Sequence, residues 1–227
     1  MKSPRDLILE AYQQALRSVD PEEAARKALS PNPGGRLIVD GRDFGNPDRV
    51  NVIAVGKAAV PMMAGAIAAL GESVHRGFVI TKDGHIDRQL PSHVEIHEAA
   101  HPVLDERSVA ATQRLLEWVT RIPVEAVAIC LISGGGSALL EAPVEGVSLA
   151  DFQNMTRQLL RAGADIHKLN AVRSRVSRVK GGGLRTAIPA RQVITLALSD
   201  VLGNDPGVIA SGPTVPSKST GEDALRV

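Results

Sequence analysis

The chain has 227 residues and a formal net charge of +1, with 44% hydrophobic and 22% charged residues, a globular balance that argues against an intrinsically disordered chain. Near-neutrality and only three Phe, one Trp and one Tyr give no footing for a nucleic-acid surface. The single cysteine, Cys130, excludes a disulfide framework or a cysteine-built zinc site, and the longest uncharged stretches, 58–71 and 126–140, fall short of the roughly 17–25 residues of a membrane span. Asp6 and Glu10 interrupt the N-terminus before any secretory signal could form, so the expectation is a cytoplasmic protein with neither membrane nor nucleic-acid partners.

In chain order, Ser3-Pro4 predicts a helix start, and Leu7, Ile8, Ala11, Ala15, Leu16 and Val19 give that helix one apolar face. Pro21 opens a second helix through Leu29, broken by Pro31, Pro33, Gly34 and Gly35. Residues 50–55 (VNVIAV) are a β-branched run and predict a strand, followed by Gly56-Lys57 and a buried helix over 58–70. Strands are predicted at 77–81 (GFVIT) and 94–97, then a helix from Asp105 or Ser108 through Val119. Residues 126–132 (AVAICLI) are wholly apolar, as a strand buried on both faces should be. Ser148 to Asp151 resembles a capping box for a helix to about Leu160. Leu169, Val172, Val176 and Val179 form a helical stripe closed by Gly181, and 193–198 (VITLAL) is the last strand. The tail over 213–221 reads as loop, and 222–227 as a helix start cut short, so the chain is expected to stop before its natural end. Strand–helix alternation predicts an α/β fold, a mostly parallel sheet with helices on both faces.

Ligands of open parallel sheets bind at the carboxyl ends of the strands. Three loops there carry unusual residues: Gly56-Lys57, Ser133-Gly134-Gly135-Gly136-Ser137, and the loop from Ser199 through Asp200 to Asp205. Three glycines let main-chain N–H groups turn toward one point and let an anion approach, a helix beginning near Ser137 would add partial positive charge, and Ser133 and Ser137 add hydroxyl donors. The spacing predicts a phosphate or carboxylate cradle, against the plainer reading of a tight turn. Lys57 is a phosphate ligand or charge clamp, or else a solvated lysine. Asp200 and Asp205 can hold Mg²⁺ or accept a hydroxyl proton in phosphoryl transfer, or else serve as turn and cap residues. From 166 to 199 there is no acidic residue but there are seven basic ones, among them Arg173, Arg178 and Lys180, which predicts a local anion site. His93, His97 and His101 recur every four residues, but on a strand two such residues lie about 13 Å apart, too far to share a metal. His101 alone, at the strand's exit, is placed to reach a ligand. Neither a Walker loop nor a dinucleotide fingerprint is present, because Asn51 stands where the first glycine belongs and Leu139 where the third does.

Four ordered segments, 55–59 (VGKAA), 132–140 (ISGGGSALL), 170–184 (NAVRSRVSRVKGGGL) and 198–214 (LSDVLGNDPGVIASGPT), together resemble the MOFRL-type ATP-dependent glycerate 2-kinases, some of which are labelled hydroxypyruvate reductases. Residues 101–106 (HPVLDE) match too, with Leu104 in place of a frequent proline; Ser174-Arg175 stand where Lys-His is common, and Gly183 where Arg is. The resemblance implies a Rossmann-like three-layer sandwich over 1–227, the N-terminal domain of a two-domain family, with the C-terminal MOFRL domain absent and the active site in the cleft between the two. It implies transfer of the γ-phosphoryl group of ATP to D-glycerate, giving 2-phosphoglycerate, with Mg²⁺ as cofactor and the chain alone weak or inactive. Lys57 maps to the family's catalytic lysine. In that frame Lys57 stabilises the transferred group, and the 133–137 backbone cradles phosphates. Asp200 binds Mg²⁺ or orients the hydroxyl, and Lys180 with Arg173 or Arg178 neutralises a carboxylate or phosphate. His101 and Asp205 complete the candidate site, and a homodimer is left open. Two rival readings stand beside this one, a nicotinamide-dependent hydroxypyruvate reductase and a non-catalytic organic-phosphate-binding module.

Overall fold

The most apolar runs of the chain pair with one another. The computed structural model describes residues 2–31, 35–47 and 49–227. Its main sheet holds β4 (Val50–Val55), β5 (Val74–Lys82), β6 (Val94–Ala99), β7 (Val127–Ile132) and β8 (Gln192–Ala197), in the order β6-β5-β4-β7-β8. Every neighbouring pair is parallel. The chain starts at the centre, builds outward to β6, then crosses back to lay β7 on the other side of β4. That reversal is the switch point at which open α/β sheets bind ligands. Register makes it specific: Val55 pairs with Ile80 and with Ile132, and Ile132 pairs with Ala197. The loops beginning at Gly56, Ser133 and Leu198 therefore leave the sheet at one level.

Side chains alternate to the two faces, as period two requires. Val52, Ala54, Ile129 and Leu131 face α3 (Ala59–Leu70), and α2 (Pro21–Ala28) lies over α3. Ile53, Val55, Cys130, Ile132 and Phe78 face α4 (Glu106–Val119) and α8 (Gly183–Ala187). Asp105 caps α4 in a capping box with Ser108. Trp118 sits in this second layer, edge-on to Phe78 with ring centroids 5.6 Å apart. The expected three-layer sandwich is thus the observed one. Among the described residues no helix is long and apolar enough to cross a membrane.

Three features differ from expectation. Helix α1 (Pro4–Ser18) forms under its Ser3 cap, but none of its residues is buried, and Leu7, Ile8, Leu16 and Val19 stay exposed. Periodicity specifies a face, not the surface that covers it. A small antiparallel sheet, β1 (Leu29–Pro31), β2 (Leu37–Val39) and β3 (Arg42–Asp43), follows α2 where only a break was expected. Pro33 and Gly34 lie outside the described residues. The stripe read as one helix to Val179 ends earlier: α7 (Ile166–Arg173) stops because the main chain beyond it bonds to the loop over 142–144. Val144 N–H donates to Val176 O and Arg178 N–H to Ala142 O. The remaining helices are α5 (Gly136–Leu139), α6 (Leu149–Arg161) and α9 (Gly221–Leu225).

Candidate functional site

Gly56 leaves β4 at φ +124°, a conformation open to glycine. Its N–H donates to Ile80 O, and Lys57 N–H donates to Gly134 O at 2.9 Å, so the first loop is laced to the second. Ser133 completes the lacing. Its N–H donates to Val55 O, and its Oγ accepts the Ala58 N–H at 3.1 Å. Ser133 is therefore a buried stitch between strand ends, with its hydroxyl occupied.

The next two glycines are where the loops meet. A methyl group on Gly134 would lie 2.6 Å from Asp200 Oδ2 and 3.5 Å from Lys57 Cε. One on Gly135, which sits at φ +89°, would lie 3.0 Å from the His101 ring and 3.2 Å from Lys57 Cγ. Lys57, His101, Gly134, Gly135 and Asp200, drawn from four loops, thus converge on one rim. Gly136 packs behind it against Ala210. Among the described residues no acceptor meets the N–H groups of Gly134, Gly135, Gly136 or Ser137. Consecutive unsatisfied N–H groups in a loop that passes through the left-handed region make an anion-binding concavity.

A cavity of about 450 Å³ opens from this rim. His101, Gly134, Gly135, Ser137, Arg173 and Asp200 contribute its polar wall, and Leu104, Ala138, Leu160 and Val208 its apolar one. Arg173 Nε donates to Thr156 Oγ1 at 3.4 Å. Burial lowers the Arg173 pKa and the nearby Glu141 charge opposes that shift. His101 is pushed below the usual imidazole value, first by burial and then by the positive charges of Lys57 and Lys82 and by His85. It is therefore neutral at pH 7 and able to accept or donate one hydrogen bond from either ring nitrogen.

The structure separates the other candidates from this cavity. Arg178 is exposed and does not line it. Lys180 is 2% exposed and its ammonium is turned inward. Asp205 lies at a second, smaller cavity of about 260 Å³, where its Oδ1 accepts the Gly207 N–H and its Oδ2 sits 3.6 Å from Lys218 Nζ. The acid-free stretch is dispersed as well: Arg175 donates to Ser219 O, Arg185 to Ile188 O, and only Arg173 among its seven cations reaches the main cavity. The histidines divide similarly. His97 stacks on Phe78 with centroids 5.0 Å apart, while His101 lines the cavity. Cys130 is buried, and burial pushes its thiol up to about 12.

Sequence reasoning missed the contribution of α6. Gln153, Thr156, Arg157 and Leu160 all line the cavity. Their spacing is that of one helical face, but the face is recognisable only once α6 is known to lie across the switch point.

Residues 7–227 match the family model described as "Domain of unknown function (DUF4147)". The chain belongs to the DUF4147 family. Along 226 residues this DUF4147 chain is 41% identical to the D-glycerate 2-kinase of Thermotoga maritima, a match that covers 100% of the chain and 51% of the relative. Its fold superposes on a crystal structure of a Pyrococcus horikoshii protein with a TM-score of 0.89 at 38% identity, covering 100% of this chain and 50% of that one. The crystal structure of glycerate kinase from Thermotoga maritima follows at 0.76 and 41%, covering 92% and 50%. The expected kinship with the MOFRL glycerate kinases and the expected α/β fold therefore both hold. The DUF4147 chain spans about half the length of the curated relatives it matches.

Proposed function

We propose that this chain is the phosphate-handling part of an ATP-dependent glycerate 2-kinase, which moves the γ-phosphoryl group of ATP to the 2-hydroxyl of D-glycerate. The observation that carries this reading is the run of four N–H groups without an acceptor among the described residues, Gly134 to Ser137, three of whose residues line the cavity at the switch point between β4 and β7, with Lys57 alongside. Phosphoryl transfer asks a protein mainly to position the reactants and neutralise charge. The loop N–H groups hold phosphate oxygens, and Lys57, on the exposed side of the rim, balances the charge of the group in flight. Arg173 takes the glycerate carboxylate. Asp200 accepts the hydroxyl proton as the oxygen attacks phosphorus, and the bond to the ADP oxygen breaks. His101, neutral, donates a hydrogen bond at the same rim.

Among the described residues no three His, Cys, Asp or Glu side chains converge, and Asp200 is the only carboxylate on the cavity. That donor set fits Mg²⁺ carried in on nucleotide phosphates, which needs one or two protein carboxylates and keeps its waters, rather than a closed cage. Bound there, Mg²⁺ would neutralise phosphate charge. The half of its relatives' length that this chain does not span supplies the remaining groups, in keeping with a C-terminal MOFRL domain, and the enzyme works in the cytoplasm.

A coupled ADP-release assay with D-glycerate tests the activity. This chain alone should give little turnover, and the chain joined to the second half of the Thermotoga maritima enzyme should give sustained turnover. Oxidation of NADH with hydroxypyruvate, in the absence of ADP release, would replace the kinase by a reductase. The loop is tested by Gly134→Ala. The new methyl meets the end of the exposed Asp200 side chain, which can swing away, so the melting temperature should stay near that of the parent. It also crowds the rim, so AMP-PNP affinity by calorimetry should fall about tenfold or more, roughly 1.4 kcal/mol. Unchanged affinity would remove the glycine loop from the phosphate site.

A further inference from the structure

Glu141 and Lys180 are the most buried pair of opposite charges in the described structure. Their side chains are 0% and 1% exposed, and Lys180 Nζ lies 3.1 Å from Glu141 Oε2. The same ammonium donates to Ser137 O and to Leu140 O, each at 2.9 Å. An ammonium has three donors, and here three acceptors surround it. One of those acceptors, Ser137 O, belongs to the single turn α5, which carries the glycine loop, and another, Leu140 O, to its C-cap. The last carbonyls of so short a helix have no partner within it, and Lys180 takes that role.

The carboxylate is the costlier member. Neither Glu141 oxygen has a well-formed hydrogen bond, so its desolvation is offset chiefly by charge. Two cations supply it, Lys180 and the cavity-lining Arg173, whose protonated form Glu141 favours. A buried ion pair can usually be replaced by apolar side chains of similar size with no loss of stability, so stability alone does not account for this one. The segment after Lys180 is bonded to the chain just beyond the cavity-lining Ala210: Gly181 N–H donates to Ser211 O and Gly182 N–H to Gly212 O.

We propose that Glu141 and Lys180 are a positioning pair, fixing the 137–140 turn and with it the glycine loop whose Gly134, Gly135 and Ser137 line the cavity. The ligand part of this inference rests on the phosphate reading of the glycine loop, and the positioning part does not. Lys180 thereby acts through the loop and touches no substrate.

The test compares Lys180→Met with the double variant Glu141→Leu/Lys180→Met in the 227-residue chain. The single variant strands a buried carboxylate and should melt well below the parent. The double variant removes both charges and should recover most of that loss. A merely structural pair would then recover ligand binding as well. The positioning role predicts otherwise. Amide exchange at Ala138, Leu139 and Leu140, whose N–H groups close the turn onto Gly135 O and Gly136 O, should stay about tenfold faster than in the parent. AMP-PNP affinity should stay at least tenfold weaker. Parent-like exchange in the double variant overturns the inference, and so does parent-like affinity alongside fast exchange. If the parent itself binds no AMP-PNP, the phosphate reading falls, and exchange at the three amides decides the positioning pair alone.

Discussion

Lys57→Met should lower kcat for ADP release by about 10³-fold, the scale seen when one preorganised charge partner of a transition state is removed. The prediction applies to the chain joined to a second half that completes it. Methionine preserves the stem of the side chain, which runs along the glycine loop with Cγ and Cε within 3.5 Å of the positions that Gly135 and Gly134 methyls would take. The main chain of Lys57 is held independently, by its N–H to Gly134 O and by the His85 Nδ1 contact to its carbonyl at 2.8 Å. Loss of the ammonium therefore leaves the loops in place, and the melting temperature should hold. KM for ATP should change by less than about threefold if the charge acts only on the group in transfer. A raised KM with normal kcat would make Lys57 a ground-state binder, and normal values of both would take it out of the mechanism.

The placement of this rim is largely legible in the sequence. Short β-branched or wholly apolar runs such as VNVIAV and AVAICLI read as buried strands, by length and residue type rather than by periodicity, and parallel strands put all their exits on one edge. The loops after residues 55, 132 and 198 had to share that edge. Whether they touch depended on strand order, which periodicity does not encode: alternation tells which face a side chain takes, not which strand lies beside it. The role of Lys180 was hidden for a related reason. In an acid-free stretch it reads as one more cation facing a ligand, whereas its partner Glu141 stands 39 residues earlier, at the end of an apolar segment, and only the folded chain joins them. The three short strands after α2 left no signal either, because runs of two or three residues are too brief for alternation to show. Helix α1 shows the converse limit. Its apolar stripe is evident in the residues, yet Leu7, Ile8 and Val19 remain exposed.

Gly56→Ala should cost about 3 kcal/mol or more of folding stability, from two sources that act together. At φ +124° an alanine is strained by about 1–3 kcal/mol. Its methyl would also stand 2.2 Å from Ser133 Oγ, 2.5 Å from Ser133 O and 2.8 Å from Ser133 C. Relief of such an overlap in a packed interior costs about 1–3 kcal/mol. In a chain of this size the sum corresponds to a fall in melting temperature of roughly 6–12 °C, which Trp118, buried against Phe78, can report by fluorescence. Ser133→Ala distinguishes the causes. It removes the hydroxyl but leaves the carbonyl of β7's exit in place, so the double variant Gly56→Ala/Ser133→Ala should recover little of the loss. Full recovery would mean that the hydroxyl alone set the approach of the two strand ends. The backbone-to-backbone contact between the loops at 56 and 133 would then be looser than the Lys57–Gly134 hydrogen bond at 2.9 Å requires. A small effect of Gly56→Ala by itself would be more damaging still, because the rim exists only if β4 and β7 end side by side with no room for a methyl between them.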